Sequence, residues 1–145
     1  MSRQTSQRHT DILDGYMQGG SRFNEWAEAK LGHFKLTAWE WGALAMDWAI
    51  DERFVMPDGV MFGGHVASVA DHVLGLTTMT VLAENDDRFR TSRLETNFFR
   101  PVTAPHAHID ARIVNTSRSL IYAEADFLNA EGKLAARVSA VQARR

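Results

Sequence analysis

The stretch GVMFGGHVASVADHVLGL, residues 59–76, sets two adjacent glycines at the mouth of an apolar segment and plants one carboxylate, Asp71, inside it. Val66, Val69, Ala70, Val73, Leu74, Thr77 and Val81 recur at the helical period and fall on one face, which predicts a helix from about Gly64 to Leu82. Asp71 lies about two turns into that helix, off the centre of the apolar face. Its flank carries Ala67, Gly75 and Thr78, small residues that leave room for a water or for the backbone of a second subunit. A helix this apolar belongs in the middle of a fold, and the charge of Asp71 beside His72 argues against a membrane span.

Beyond a charged turn, ENDDRF, the period changes from helical to two. RTSRLETNFFRPV reads as a strand ending at Pro101. In HAHIDARIV the set Ala107, Ile109, Ala111 and Ile113 alternates with polar residues, and in LIYAEADFL the set Ile121, Ala123, Ala125 and Phe127 does the same. KLAARVSAV follows with Leu134, Ala136, Val138 and Ala140 on one face. The short links NTSRS and NAEG predict antiparallel hairpins, and the whole reads as four strands in a meander. Upstream, Ile12, Leu13, Tyr16, Met17, Phe23, Trp26, Ala27 and Leu31 fit one or two short helices interrupted by Gly19 and Gly20. Residues 34–50 alternate around Trp39 and Trp41 and read as strand, with Trp39, Trp41 and Trp48 as core or interface aromatics. Strands flanking one segregated helix predict an α+β fold, a curved antiparallel sheet wrapped on that helix, with an N-terminal helical extension.

The chain of 145 residues is long enough for one domain spanning 1–145. It has no cysteine, which removes disulfides, thiolate metal sites and thiol nucleophiles from consideration. Residues 1–11 are polar, lack the apolar core of a signal peptide, and read as a frayed terminus of a cytoplasmic protein. Sixteen Lys and Arg stand against 18 Asp and Glu with no basic stripe, so nucleic acid is not an expected partner.

GVMFGGHVASVADHVLG, TSRLETNFFRPV and NAEGKLAARVSAV together resemble, in order and spacing, the signature stretches of hotdog-fold thioesterases of the phenylacetate-degradation type, within the 4-hydroxybenzoyl-CoA thioesterase superfamily. The resemblance covers about residues 31–143 and rests on the Gly-Gly pair, the carboxylate seven residues after it, and the aromatic-Arg-Pro strand end. It implies a long helix wrapped by five or six strands, homodimers or dimers of dimers built through edge strands, and hydrolysis of acyl-CoA thioesters at the dimer interface. It places the catalytic carboxylate at Asp71, the amide that polarises the thioester carbonyl at Gly63, and a hydroxyl that helps hold the attacking water at Thr91. Two positions depart from the family pattern: Phe62 stands where a His is usual, and Met56 where an Asn is frequent.

The residue chemistry agrees with that assignment. Negative charge gathers on the carbonyl oxygen as a thioester is attacked, and the Gly63 and Gly64 amides, at a helix start, lack intrahelical acceptors. The leaving thiolate is stable enough that one base suffices. Asp71 fits as that base, or as a nucleophile forming a transient anhydride. Phe62, Gly64, His65, Arg100 and Arg118 are the expected substrate-side residues, His65 as a substitute polar group and the two arginines for a CoA phosphate or a neighbouring carboxylate. His65 and His72 lie about 10 Å apart along the helix, too far to share a metal, and read as solvent-facing or interface residues. His106 and His108 mark an exposed strand face. No metal or redox cofactor is expected, coenzyme A entering only as part of the substrate. Two other readings stay open. His65 or His72 beside Asp71 fits a hotdog enoyl-CoA hydratase or dehydratase, and the losses at 56 and 62 fit a non-catalytic acyl-CoA binder or structural subunit.

Overall fold

A computed structural model describes residues 3–86 and 88–144. The apolar period of the 59–76 stretch becomes α3 (Gly63–Met79), with Val66, Val69, Ala70, Val73, Leu74 and Thr77 all buried. The predicted helix runs three residues too far, because Thr80, Val81 and Leu82 turn through short-range bonds instead of continuing the ladder. Around α3 lies one six-stranded antiparallel sheet: β1 (His33–Glu40), β2 (Ala43–Ala49), β3 (Phe89–Phe98), β4 (His106–Thr116), β5 (Leu120–Leu128) and β6 (Leu134–Arg144). Residues 34–50, read as strand, form the β1–β2 hairpin.

The inner face of the sheet is the alternating set expected from sequence. Ala107, Ile109 and Ala111 of β4, Ile121, Ala123, Ala125 and Phe127 of β5, and Ala136, Val138 and Ala140 of β6 are buried against α3. On the outer face of β4, β5 and β6, Arg112 and Arg137 are laced to Glu124 and Asp126. The mostly small inner residues let a helix sit close to the strands, and the polar outer set keeps the period-two register unambiguous.

The expected meander is corrected in one place. The sheet order is β1-β2-β4-β5-β6-β3, so the hairpins β4–β5 and β5–β6 form as predicted, while β3 pairs with β6 at the far edge and not with β4. The link from β3 to β4 holds Pro101 and Pro105, which have no N–H to give to a tight hairpin. It crosses the open end of the sheet instead. Phe99 and Arg100 both donate their amides to Ala135 O, Val102 O accepts from Met61 N at 2.8 Å beside the start of α3, and Pro105 O accepts from Ile50 N at 3.1 Å.

The frayed terminus is corrected as well, for the part that is described; Met1 and Ser2 lie outside the described residues. Thr5 is buried and its hydroxyl donates to Thr80 O at 2.7 Å. Ser6 caps α1 (Gln7–Gln18), whose Leu13 and Tyr16 are buried. Asp14 accepts the Trp39 indole N–H at 2.9 Å. A capping box between Ser21 and Asn24 starts α2 (Arg22–Lys30). Few apolar residues occur in the first eleven because the segment is held by side-chain hydrogen bonds and caps. This extension carries aromatic side chains toward the middle of α3.

Candidate active site

The charge on α3 meets two polar residues from the sheet edge. Thr91 of β3 donates its hydroxyl to Asp71 Oδ1 at 2.6 Å. Thr91 is also the direct cross-strand partner of Gln142 on β6, with Oγ1 3.2 Å from Gln142 Oε1. Between Thr91 and Arg93 the register slips by one residue, a local irregularity that re-aims side chains where a strand passes a site. In the single chain the Asp71 carboxylate is exposed. It faces a cavity of about 680 Å³ walled by Phe23 and Trp26 of α2, Leu76 and Met79 of α3, and Phe89 of β3. Phe23 and Trp26 are 40% and 50% exposed, so these rings present apolar surface to whatever enters.

The glycine pair stands elsewhere. Phe62 opens α3 without a side-chain cap, and among the described residues neither the Gly63 nor the Gly64 amide finds an acceptor; the first helical bonds come from His65 and Val66 to Phe62 O. A Cβ on Gly64 would lie 2.9 Å from the Phe62 ring, and one on Gly63 would lie 3.3 Å from the Phe98 ring. Gly63 borders an apolar cleft of about 360 Å³ formed with Met56, Val60, Phe98 and Phe99. The departures at 56 and 62 thus make this side of the site greasy instead of polar. In the single chain this apolar surface is open to solvent, with Phe62 58% and Phe99 56% exposed.

Gly63 and Asp71 are eight positions apart on one helix, about 12 Å along its axis. Within one chain they cannot address the same carbonyl. The structure brings Asp71 and Thr91 together and places Gly63, Gly64, Phe62 and Arg100 as a second group at the other end of β3. Arg100 spends one guanidinium N–H on Leu134 O at 2.8 Å. Arg118, in the turn from β4 to β5, is exposed and lies toward the Thr91 end of the sheet.

Both histidines of α3 depart from expectation. His65 is buried, not free to serve a substrate: Nε2 is 2.7 Å from Leu31 O and the ring stacks on Phe54 at 3.7 Å. His72 packs among Tyr16, Trp26 and Phe34, with Nε2 3.0 Å from the Tyr16 hydroxyl. Burial lowers its pKa from 6.5 to about 4, against the opposing pull of the Asp71 charge. His106 and His108 are on the outer side as read, His108 held between Asp47 and Asp110. Gln142 is the site residue that sequence reasoning misses. A signal for it exists, since it continues the inner-face set of Ala136, Val138 and Ala140 at the same period with a polar side chain.

The lowered His72 pKa makes a stability prediction. The folded protein binds fewer protons than the unfolded chain between about pH 4 and 6.5, so stability falls as pH drops through that window and levels off below it. The full effect is about 3 kcal/mol. His9 and His65, also lowered by burial, add to the fall, while His108, raised chiefly by its hydrogen bond to Asp47, opposes it. His72→Gln keeps a partner for Tyr16 and should flatten the melting-temperature profile between pH 4 and 6.5. An unchanged profile would remove His72 from the account.

The family model described as the thioesterase superfamily matches residues 58–136, from the turn before α3 to the start of β6. The chain belongs to the thioesterase superfamily. A Saccharolobus solfataricus protein named as a putative esterase is 30% identical over 98 residues, 68% of this thioesterase and 69% of that relative. Among solved structures, a phenylacetic acid degradation-related protein from Ralstonia eutropha superposes with a TM-score of 0.79 at 22% identity, covering 93% and 98% of the two chains. A Streptococcus pneumoniae thioesterase-type protein solved with coenzyme A gives 0.77 at 14% identity, covering 85% and 94%. At these identities the structural matches establish the hotdog fold of the enzyme. The match to the family supplies the reaction class, thioester hydrolysis.

Proposed function

We propose that the enzyme hydrolyses acyl-CoA thioesters at a site shared by two copies of the chain, with Asp71 activating water and the partner's Gly63 amide receiving the oxyanion. One observation carries this. The Asp71–Thr91 pair and the unpartnered Gly63 amide stand at opposite ends of the same free edge strand, β3. Only β6 pairs with β3 among the described strands, and most of its length is exposed, including Leu94, Phe98 and the adjoining Phe99. A ten-residue exposed edge is an aggregation hazard unless another strand covers it. Antiparallel pairing of β3 with its own copy about a two-fold axis at mid-strand sets each Thr91 end beside the partner's Phe98 end. That operation carries Asp71 toward the partner's Gly63 and joins the two cavities.

In the joined site the acyl group lies against Phe23, Trp26, Leu76 and Met79, and the thioester carbonyl points at the partner's Gly63 amide. Water, oriented by Asp71 and Thr91, adds to the carbonyl carbon. Its proton passes to the carboxylate, the C–S bond breaks, and the thiolate leaves with the proton taken up again from Asp71 or solvent. Arg100 and Arg118, both exposed, are the cations this reading assigns to the phosphates of the CoA moiety. The chain works as a dimer, in the compartment where acyl-CoA is made and used, the cytoplasm, and needs no metal or redox group for this chemistry.

The test is release of free thiol from a panel of saturated acyl-CoAs, run beside hydration of an enoyl-CoA. Thiol release from saturated substrates supports the proposal. Enoyl hydration alone would favour the hydratase reading, and neither would favour an acyl-CoA binder. The hydratase reading asks for a histidine aimed with a carboxylate at the acyl chain, whereas His65 is turned to Leu31 O and His72 Nε2 to Tyr16. Within the panel, Trp26→Ala should raise KM for aryl or medium-chain acyl-CoA about fivefold through lost apolar contact and leave acetyl-CoA unchanged. Equal losses on both would place Trp26 outside the acyl pocket.

A further inference from the structure

Gln142 has no ordinary reason to be where it is. Its side chain is fully buried at the end of β6, and its Nε2 has no hydrogen-bond partner among the described residues. Its Oε1 faces Thr91 Oγ1 at 3.2 Å, but the single hydroxyl proton of Thr91 is already given to Asp71 at 2.6 Å. The shorter bond, to a carboxylate, takes the proton. Two acceptor oxygens are then left facing each other while a buried NH2 goes unused. Rotating the amide by half a turn removes the facing acceptors and gives the NH2 a partner, because it then donates to Thr91 Oγ1, which donates to Asp71, and leaves the carbonyl oxygen in the place the NH2 vacates.

We infer that Gln142 is a positioning residue for hydrolysis: its buried amide N–H fixes the Thr91 hydroxyl so that its one proton always points at Asp71. A threonine hydroxyl otherwise rotates among three staggered positions, and in the other two it would leave the carboxylate unheld. The Cα register supports this use, since Thr91 and Gln142 are direct cross-strand partners and sit on the face turned to α3. The register slip just after Thr91 adds a local twist that turns the hydroxyl to the helix. An amide kept in an otherwise apolar row costs stability that Met or Leu would not. A structural role does not account for that cost, whereas a chain of two donors ending on the catalytic carboxylate does.

This inference rests on the proposed role of Asp71, and its test separates the two. Gln142→Met keeps length and burial and removes the donor. It should leave the melting temperature unchanged or higher while lowering kcat about tenfold with KM within twofold, the factor of one ordinary hydrogen bond. Thr91→Val should lower kcat at least as much. In the Thr91→Val background, Gln142→Met should cost nothing further, because the amide acts only through the hydroxyl. A Gln142→Met enzyme with full kcat, or one whose loss adds in full to that of Thr91→Val, overturns the relay while Asp71 keeps its role. If Asp71→Asn retains thiol release, the reading of the site fails first and the relay with it. A lowered melting temperature with kcat restored by Gln142→Asn would also count against it, since the shorter amide cannot reach Thr91 from the same backbone position.

Discussion

Asp71→Asn is expected to lower kcat for thioester hydrolysis by about 10²–10⁴-fold, the range carried by a single well-placed acid–base group. The substitution is nearly isosteric. The new amide still offers a side-chain oxygen to Thr91, and position 71 is on the exposed flank of α3, so neither the helix nor the core should suffer. KM should stay within a small factor, since in the proposed reaction the carboxylate serves the attacking water and not the CoA moiety. The change removes the basic and the nucleophilic routes alike, because an amide oxygen neither takes a proton from water at neutral pH nor forms an anhydride. Thiol release measured under saturating substrate reads the effect directly. A variant with wild-type turnover would end the proposal that Asp71 drives the reaction, and would do so without ambiguity if its melting temperature and oligomeric state matched the parent.

Much of the scaffold behind that experiment can be read from the chain. α3 and the pairs β4–β5 and β5–β6 are legible because each obeys one period over many residues and the turns between the strands are short. The placement of β3 is not, since the pairing partner of a strand is decided by where its neighbours have already gone. Pro101 and Pro105 close the hairpin route, but nothing local says that the far edge, beside β6, is the place left open. The N-terminal extension escapes a reading by composition for a different reason. Its order comes from Thr5, Ser6 and Asp14 bonding to groups far away in sequence or to a helix start, and polar composition hides such anchors.

The site shows the same division. Asp71 and Gly63 are proposed from the family resemblance, and the rise of a helix says that one copy of each cannot meet within one chain. Spacing says nothing of His65, which stands beside the glycines as if available, yet gives its ring to Leu31 O, 34 residues back along the chain. Gln142 lies in plain view as a polar residue in an apolar row, and its meaning depends on the cross-strand register that only the fold supplies.

That separation on α3 sets up the second large effect. Gly63→Pro deletes one amide proton at a position that tolerates the ring: it is the first residue of α3, where proline is favoured, and Phe62 before it has the extended ψ of 125° that proline requires. The loss of that donor should lower kcat by about 10²–10³-fold. Gly63→Ala, which keeps the amide and asks the Phe98 ring to yield slightly around a contact of 3.3 Å, should lose far less. The pair Asp71→Asn and Gly63→Pro then becomes decisive when both chains are expressed together and the hybrid dimer is isolated through two different tags. One of its two sites receives both substitutions and is dead. The other combines Asp71 with Gly63, each from the chain that retains it, and is intact, so the hybrid should turn over at about half the wild-type rate although both parents are inactive. A site contained within one chain predicts the opposite, because every such site in the hybrid carries one lesion. An inactive hybrid of normal stability would mean that Gly63 and Asp71 do not serve one carbonyl across β3.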